Sequence, residues 1–159
     1  MAVTNAENRL VLATGNKSEL SVGYCTLYGD TVGGLAVLGD VYKRDVYALA
    51  RFAYHNGTLI PLNTIDKPPS AELAPDQFDT DDLPSYDILD AVLAQTIEGS
   101  TEKLPTEADN RTIDQIRQRL DRNEYKRRQS PLVLRVSNKA FGTGRRLPIV
   151  HKYDFRLTS

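Results

Sequence analysis

Apolar residues recur along this chain at two spacings, and each spacing predicts an element. Leu10 to Ala13 follow Arg9 as a short continuous apolar run, which predicts a strand over Arg9 to Ala13. Leu20, Tyr24 and Leu27 fall at i, i+4 and i+7, predicting a helix from Ser18 to Tyr28 that Gly29 ends. Val46, Leu49, Ala50 and Ala53 form the stripe of a second helix, about Val41 to Tyr54, with Asp40 as its N-cap and Asn56-Gly57 as its stop. Leu89, Leu93 and Ile97 mark a third, about Tyr86 to Glu98, capped by Ser85. Ile113, Ile116 and Leu120 mark a fourth, opened by a Thr112/Gln115 capping box and running to about Arg128. Past Pro131, Leu132 to Val136 is a short apolar run of strand length.

Polar punctuation separates these segments. Gly15 marks a tight turn after the first strand, and Asn16 with Glu19 forms a variant capping box for the helix behind it. Gly33-Gly34 is a flexible loop. Lys67 to Pro84 holds Pro68, Pro69, Pro75 and Pro84 among Asp76, Asp79, Asp81 and Asp82, so it reads as a long acidic loop of functional or disordered type. A strand, a glycine turn and a helix N-terminus make a place where an anion or nucleotide is held, because the first turn has free N–H groups and a positive dipole end. The expected class is α/β and helix-rich, the second half of a doubly wound parallel-sheet domain.

Composition narrows this picture. At 159 residues the chain is one domain or part of one. No apolar run nears the roughly 18 residues that span a bilayer, and no signal peptide is visible. The lone Cys25 excludes an internal disulfide and fits a reducing compartment, so the expected location is cytoplasmic. One cysteine and two histidines do not suit a zinc site. The net charge of −1 hides a split: residues 1–110 carry a balance of −10 and residues 111–159 one of +9. The basic third, with its tail 130–159, either faces an anionic ligand or folds back on the acidic part. It has no nucleic-acid-binding motif.

Four blocks carry a resemblance. They are TGNKSE (Thr14 to Glu19), followed by GY-TLYGD and a GG pair; DVYKRDVYALAR (Asp40 to Arg51); KPPSAELAPDQFDTDDLPSYDILD (Lys67 to Asp90); and DRNEYKRRQ (Asp121 to Gln129). Together and in this order the chain resembles the NAD synthetase domain of glutamine-dependent NAD+ synthetases, with a fold like that of the adenine nucleotide alpha hydrolases. The resemblance covers residues 1–159 as part of that domain. The segment before Asn8 resembles a helix leading into the first strand. The family's SGGxDS phosphate loop and its amidase domain have no counterpart among these residues, so the chain alone is expected to be inactive.

The resemblance implies roles residue by residue. Thr14, Lys43 and Ser70 stand where the family contacts ATP. Glu19 stands at a magnesium and deamido-NAD position. Tyr24, Cys25, Thr26 and Leu27 match a segment lining the deamido-NAD pocket, although Tyr24 and Leu27 also read as core, and for Leu27 core is the preferred reading. Lys126 matches a lysine that reaches deamido-NAD, beside Tyr125 where relatives can carry histidine. Read without the resemblance, Glu19 is a cap residue, Ser70 a turn serine, Cys25 a small apolar residue, and Lys126 one of several helix-end cations. Lys43 sits in a helix first turn, an unfavourable place for a cation by dipole. The implied partners are ATP with Mg2+, deamido-NAD and ammonia from glutamine, and a homo-oligomer or complementing chain. No nucleic acid and no membrane is expected. A remnant or accessory subunit that completes a site with another chain is the alternative.

Overall fold

The computed structural model describes residues 1–55, 60–70 and 74–150. The expected stop at Asn56-Gly57, part of the acidic loop and the end of the basic tail lie outside them. The described elements run α1 (Ala2–Glu7), β1 (Leu12–Ala13), α2 (Lys17–Val22), β2 (Leu35–Ala36), α3 (Lys43–His55), α4 (Leu62–Asp66), a 3-10 turn (Asp79–Asp81), α5 (Tyr86–Glu98), α6 (Asn110–Arg122), α7 (Glu124–Arg127) and β3 (Leu132–Val133).

The strands pair in parallel in the order β1-β2-β3, with Leu12 opposite Leu35 and Ala13 opposite Ala36, then Leu35 opposite Leu132 and Ala36 opposite Val133. Side chains alternate across a strand. Ala13, Ala36 and Val133 therefore meet the helices, while Leu12 and Leu132 on the other face are 52 % and 64 % exposed. The segment after Gly33-Gly34, to which the sequence pattern assigns no element, is the middle strand. Two residues are too few to show a period. Gly33, at φ 145°, lets the chain turn against Val11, whose carbonyl oxygen would sit 2.9 Å from an added Cβ.

Helix α5 is the centre of the core. Leu89, Val92, Leu93 and Ile97 are buried against Leu20 and Val22 of α2 and Ile116 and Leu120 of α6. Its buried positions go round the helix and include Asp90, as expected of a helix packed on several sides. On α3 the expected stripe is corrected: Leu49 is exposed, and Val46, Ala50 and Ala53 are half-buried.

Several caps differ from expectation because distant side chains supply them. Asp40 does not cap α3. The Lys43 N–H donates to Ser18 Oγ at 2.9 Å, and the Arg44 N–H donates to Asp90 Oδ2 at 3.0 Å. Ser18 Oγ in turn donates to Asp90 Oδ1 at 2.5 Å. Asp40 instead accepts from the Val136 and Ser137 N–H groups at 2.8 and 2.6 Å, tying the chain beyond β3 to the start of α3. Ser85 makes no side-chain cap bond on α5, and Asp109, not Thr112, caps α6 by accepting from the Thr112 N–H. The helix expected to reach Arg128 breaks at Asn123 into α6 and α7.

Asp90 is fully buried, and burial first of all raises its carboxyl to about 6. The folded state then holds this proton more tightly than the unfolded chain. The Asp90 contribution to stability is present at acid pH and is lost as pH rises from about 4 to 6, an effect on the order of 2–3 kcal/mol. Asp90→Asn removes that dependence. Denaturant melts of both proteins at several pH values check it: the wild type should lose stability relative to the variant as pH rises through this window.

The helix expected to extend to Tyr28 ends six residues earlier. Gly23 takes the left-handed conformation, φ 67°, and its N–H closes on the Glu19 carbonyl. Asn123 fills the space beside it, so an added Cβ would lie 2.1 Å from Asn123 Cγ. Gly23→Ala is expected to cost at least about 2 kcal/mol from backbone strain and overlap together. Gly99, at φ 74° with nothing within 4 Å, is the control. Gly99→Ala should cost only about 1 kcal/mol from the backbone alone. Equal losses in thermal unfolding would contradict this account.

Candidate functional site

Helix α2 begins where β1 ends, at the edge where open parallel sheets place ligands. Its capping box is closed: the Glu19 N–H donates to Asn16 Oδ1 and the Asn16 N–H to Glu19 Oε2, both at 3.0 Å. Gly15, expected to be sterically required, would place a Cβ no nearer than 3.9 Å to any atom, the Glu19 carboxylate. With one carboxylate oxygen held by the cap, Glu19 turns the other toward Lys43 Nζ at 3.1 Å. Lys43 also lies 5.3 Å from the Tyr86 ring centroid.

Beyond Gly23 the chain leaves the helix and forms a wall from Tyr24 to Asp30. The Thr26 N–H donates to Asp30 Oδ1 at 2.5 Å, and Thr31 Oγ1 donates to the Thr26 carbonyl at 3.0 Å. Lys126, from α7, reaches across and donates to the Gly23 and Cys25 carbonyls at 2.7 and 2.8 Å. The position of this wall therefore depends on a residue a hundred places away in sequence. Burial pushes the Cys25 thiol up, which keeps it neutral and unreactive as a nucleophile.

These pieces enclose a cleft of about 820 Å³, within the usual range for a small-molecule site. Glu19, Tyr24, Cys25, Thr26, Lys43, Ser70 and Lys126 all line it. Thr14 is exposed at the end of β1, and Leu27 is half-buried in the wall; neither is among the lining residues. Tyr125 is 41 % exposed and also outside the lining. The structure adds Asp30, Tyr47, Lys67 and Asp79. Sequence reasoning missed these. Asp79 was one of four carboxylates in an acidic loop with nothing to single it out, and Tyr47 sat unmarked between the apolar positions of α3.

Lys17 was also missed. It is fully buried, away from the cleft lining, and its ammonium donates to Asp40 Oδ1 at 2.7 Å, Glu98 Oε1 at 2.6 Å, Ser137 Oγ at 2.8 Å and the Lys139 carbonyl at 3.1 Å. The signal was available: a lysine at the first position of a helix opposes the dipole and needs another reason to be there.

Part of the basic third folds onto acids, and one pair reaches the acidic part of the chain. Arg127 and Arg128 both bind Glu124, and Arg119 binds Asp82 in the acidic segment. Buried Arg127 also donates to the Ser21 carbonyl at 2.7 Å and to the Leu120 carbonyl, closing the C-terminal ends of α2 and α6. Among the described residues no helix is long and apolar enough to cross a membrane.

Comparison with known proteins places this arrangement. The family model described as NAD synthase matches residues 1–130. A glutamine-dependent NAD(+) synthetase of Acinetobacter baylyi is 50 % identical over 156 residues, covering 95 % of this chain and 29 % of the relative. The Synechocystis enzyme of that name is 46 % identical, covering 96 % and 28 %. The solved structure of NMN synthetase from Francisella tularensis superposes with a TM-score of 0.64 at 27 % identity, over 79 % of this chain and 47 % of that one. The chain thus spans under a third of the length of these curated relatives. It belongs to the NAD synthase family and corresponds to part of its glutamine-dependent members.

Proposed function

We propose that this chain contributes part of the site at which deamido-NAD is amidated to NAD+ at the expense of ATP, with ammonia derived from glutamine. The observation that carries the proposal is the cleft itself. It gathers Glu19 from α2, Lys43 from α3, Ser70 from the proline-rich segment and Lys126 from α7, residues to which the family resemblance assigns ATP and deamido-NAD.

In that reaction the nicotinate carboxylate attacks the α-phosphate of ATP, forming an acyl adenylate and releasing pyrophosphate. Ammonia then attacks the acyl carbon and AMP departs. Catalysis of this kind depends on holding the reactants and offsetting charge. Lys43 supplies a cation for the phosphates once a ligand competes for it with Glu19. Lys126 holds the Gly23 and Cys25 carbonyls and so shapes the wall against which the dinucleotide lies. Ser70 supplies a hydroxyl, and Thr14, at the end of β1, is an ATP contact only from outside the cleft lining. Tyr24, Cys25, Thr26 and Leu27 form the deamido-NAD wall in this reading, with Leu27 behind the surface.

Glu19 fits the role of a magnesium ligand in part. One of its oxygens is committed to the cap and the other faces Lys43, while magnesium takes one or two carboxylates and fills the rest of its shell with phosphate oxygens and water. When bound, the ion would neutralise phosphate charge. Residues 1–159 include no SGGxDS motif, so activity in isolation is not expected. A cytoplasmic location and a dimer or larger assembly, or a complementing chain, belong to the same reading.

The test is NAD+ formation from deamido-NAD, ATP, Mg2+ and ammonium, using this segment joined to the upstream portion of a curated relative. Turnover supports the reading. Nucleotide binding without turnover in the completed protein favours a non-enzymatic remnant, and absence of nucleotide binding refutes the assignment.

A further inference from the structure

A second cleft shares no lining residue with the first. It measures about 250 Å³ and lies between α7, β3 and the turn from Phe141 to Arg146. That is below the roughly 300–1,000 Å³ of sites for drug-sized ligands, so it suits a small ion and not a dinucleotide. Arg127, Arg128, Arg145 and Arg146 line it, and Glu124 is the one acid among the lining residues. The local backbone is built to bring the last two arginines there. The Gly144 and Arg145 N–H groups both donate to the Ala140 carbonyl at 2.9 Å, and the Gly142 N–H donates to the Arg145 carbonyl at 3.2 Å. A Cβ on Gly144 would lie 2.9 Å from the Ala140 backbone nitrogen, so glycine is what lets the turn close before Arg145 and Arg146.

The charges in this pocket do not cancel. Glu124 is buried and already accepts from both Arg127 and Arg128. Arg145 is differently placed. Its side chain is 13 % exposed, yet Nε and Nη2 donate no hydrogen bond among the described residues. Asp121 Oδ1 lies 3.9 Å from Nη2, an ion pair too long for a hydrogen bond. Arg146 is exposed and makes no ion pair among the described residues. Burial pulls the Arg127 guanidinium below its ordinary value, and the charge of Arg145 acts in the same direction. Buried donors are almost always satisfied, so Arg145 calls for an acceptor. We propose that this pocket binds a phosphate-type oxyanion, held by Arg145 and Arg146 with Arg128 beside them.

The chemistry of the lining selects this ligand. A guanidinium only donates, so the ligand must accept. A neutral carbonyl or hydroxyl accepts but leaves the crowded positive charge in place, and a cation is repelled. The guanidinium fork matches the paired oxygens of an oxyanion. A carboxylate offers two oxygens in one plane. A tetrahedral phosphate offers oxygens to α7 and to the turn at once. The phosphate is either a free ion or a group on a larger molecule whose remainder stays outside the pocket. The proposal does not depend on the nucleotide reading, because Lys43 and Lys126 line the other cleft.

The test uses the completed protein, this segment joined to the upstream portion of a curated relative, titrated calorimetrically with inorganic phosphate and with phosphoserine at constant ionic strength. Arg145→Gln should weaken phosphate about tenfold, the scale of one charge-assisted hydrogen bond. Arg146→Gln should weaken it about threefold, because that side chain is exposed. Lys43→Met should leave it unchanged. Added salt should weaken binding by the wild type. Arg146→Gln alters only an exposed side chain, so it decides the matter should Arg145→Gln fail to fold. Phosphate bound more tightly than phosphoserine identifies a free ion, and equal binding of the two identifies a phosphate group on a larger ligand; either supports the proposal. No binding of either probe up to about 10 mM overturns it. So does equal binding by the wild type and the folded arginine variants, or loss of binding in Lys43→Met.

Discussion

Lys17→Met is expected to remove a large part of the stability of this chain. The ammonium sits among two carboxylates, a hydroxyl and a carbonyl, and the side chains of Lys17 and Asp40 are fully buried. Methionine fills the volume but leaves Asp40 and Glu98 facing each other without the charge between them. Breaking a buried pair by removing one partner costs roughly 3–5 kcal/mol, against a total of about 5–15 kcal/mol for an ordinary domain. The effect should reach beyond the local site, because Lys17 joins α2, the C-terminal end of α5 and the segment at Ser137 to Lys139. Urea denaturation measures it, and a loss below about 1 kcal/mol would show that this network is not what anchors the segment after β3.

The same substitution has a pH signature. Burial opposes ionisation of Asp40, but Lys17 and the Ser137 and Val136 N–H groups outweigh it and hold the carboxyl below its ordinary value of 3.8. A lowered folded pKa contributes stability above the unfolded value that is lost as pH falls through the folded one. The gap between wild type and Lys17→Met should therefore narrow below about pH 4.

Glu19→Gln and Lys126→Met should each lower NAD+ formation about a hundredfold or more in the completed protein, the scale of losing one positioned electrostatic group. Glutamine can still accept the Asn16 N–H and keep the cap, so a fall in turnover with little change in melting temperature isolates the charge. Lys126→Met removes the donor to the Gly23 and Cys25 carbonyls. Its loss should raise the KM for deamido-NAD more than that for ATP, because the wall from Tyr24 to Thr26 is what it holds. Near-normal turnover with either variant contradicts the assignment of the cleft.

Much was legible in the residues themselves. Helix α5 could be read from Leu89, Leu93 and Ile97, because a thirteen-residue helix repeats its period several times and periodicity is a local property. The Asn16/Glu19 capping box was legible for the same reason: both partners lie within one turn. The family motifs single out Glu19, Lys43, Ser70 and Lys126, and the fold brings these four to one cleft. What local pattern could not determine was anything whose partner lies far along the chain. The middle strand, Leu35–Ala36, is only two residues long and exists because β1 and β3 flank it. Asp40 looks like a cap in sequence, yet Ser18 and Asp90 supply that cap, leaving Asp40 to bind Lys17 and the backbone at Val136 and Ser137. The end of α2 at Gly23 depends on Asn123 filling the space beside it. Asp79 and Tyr24 line one cleft only because the 3-10 turn and the chain after α2 meet there. Propensity and capping act within a turn or two of the chain, whereas the burial of charge and the satisfaction of polar atoms are decided by which distant segments pack together.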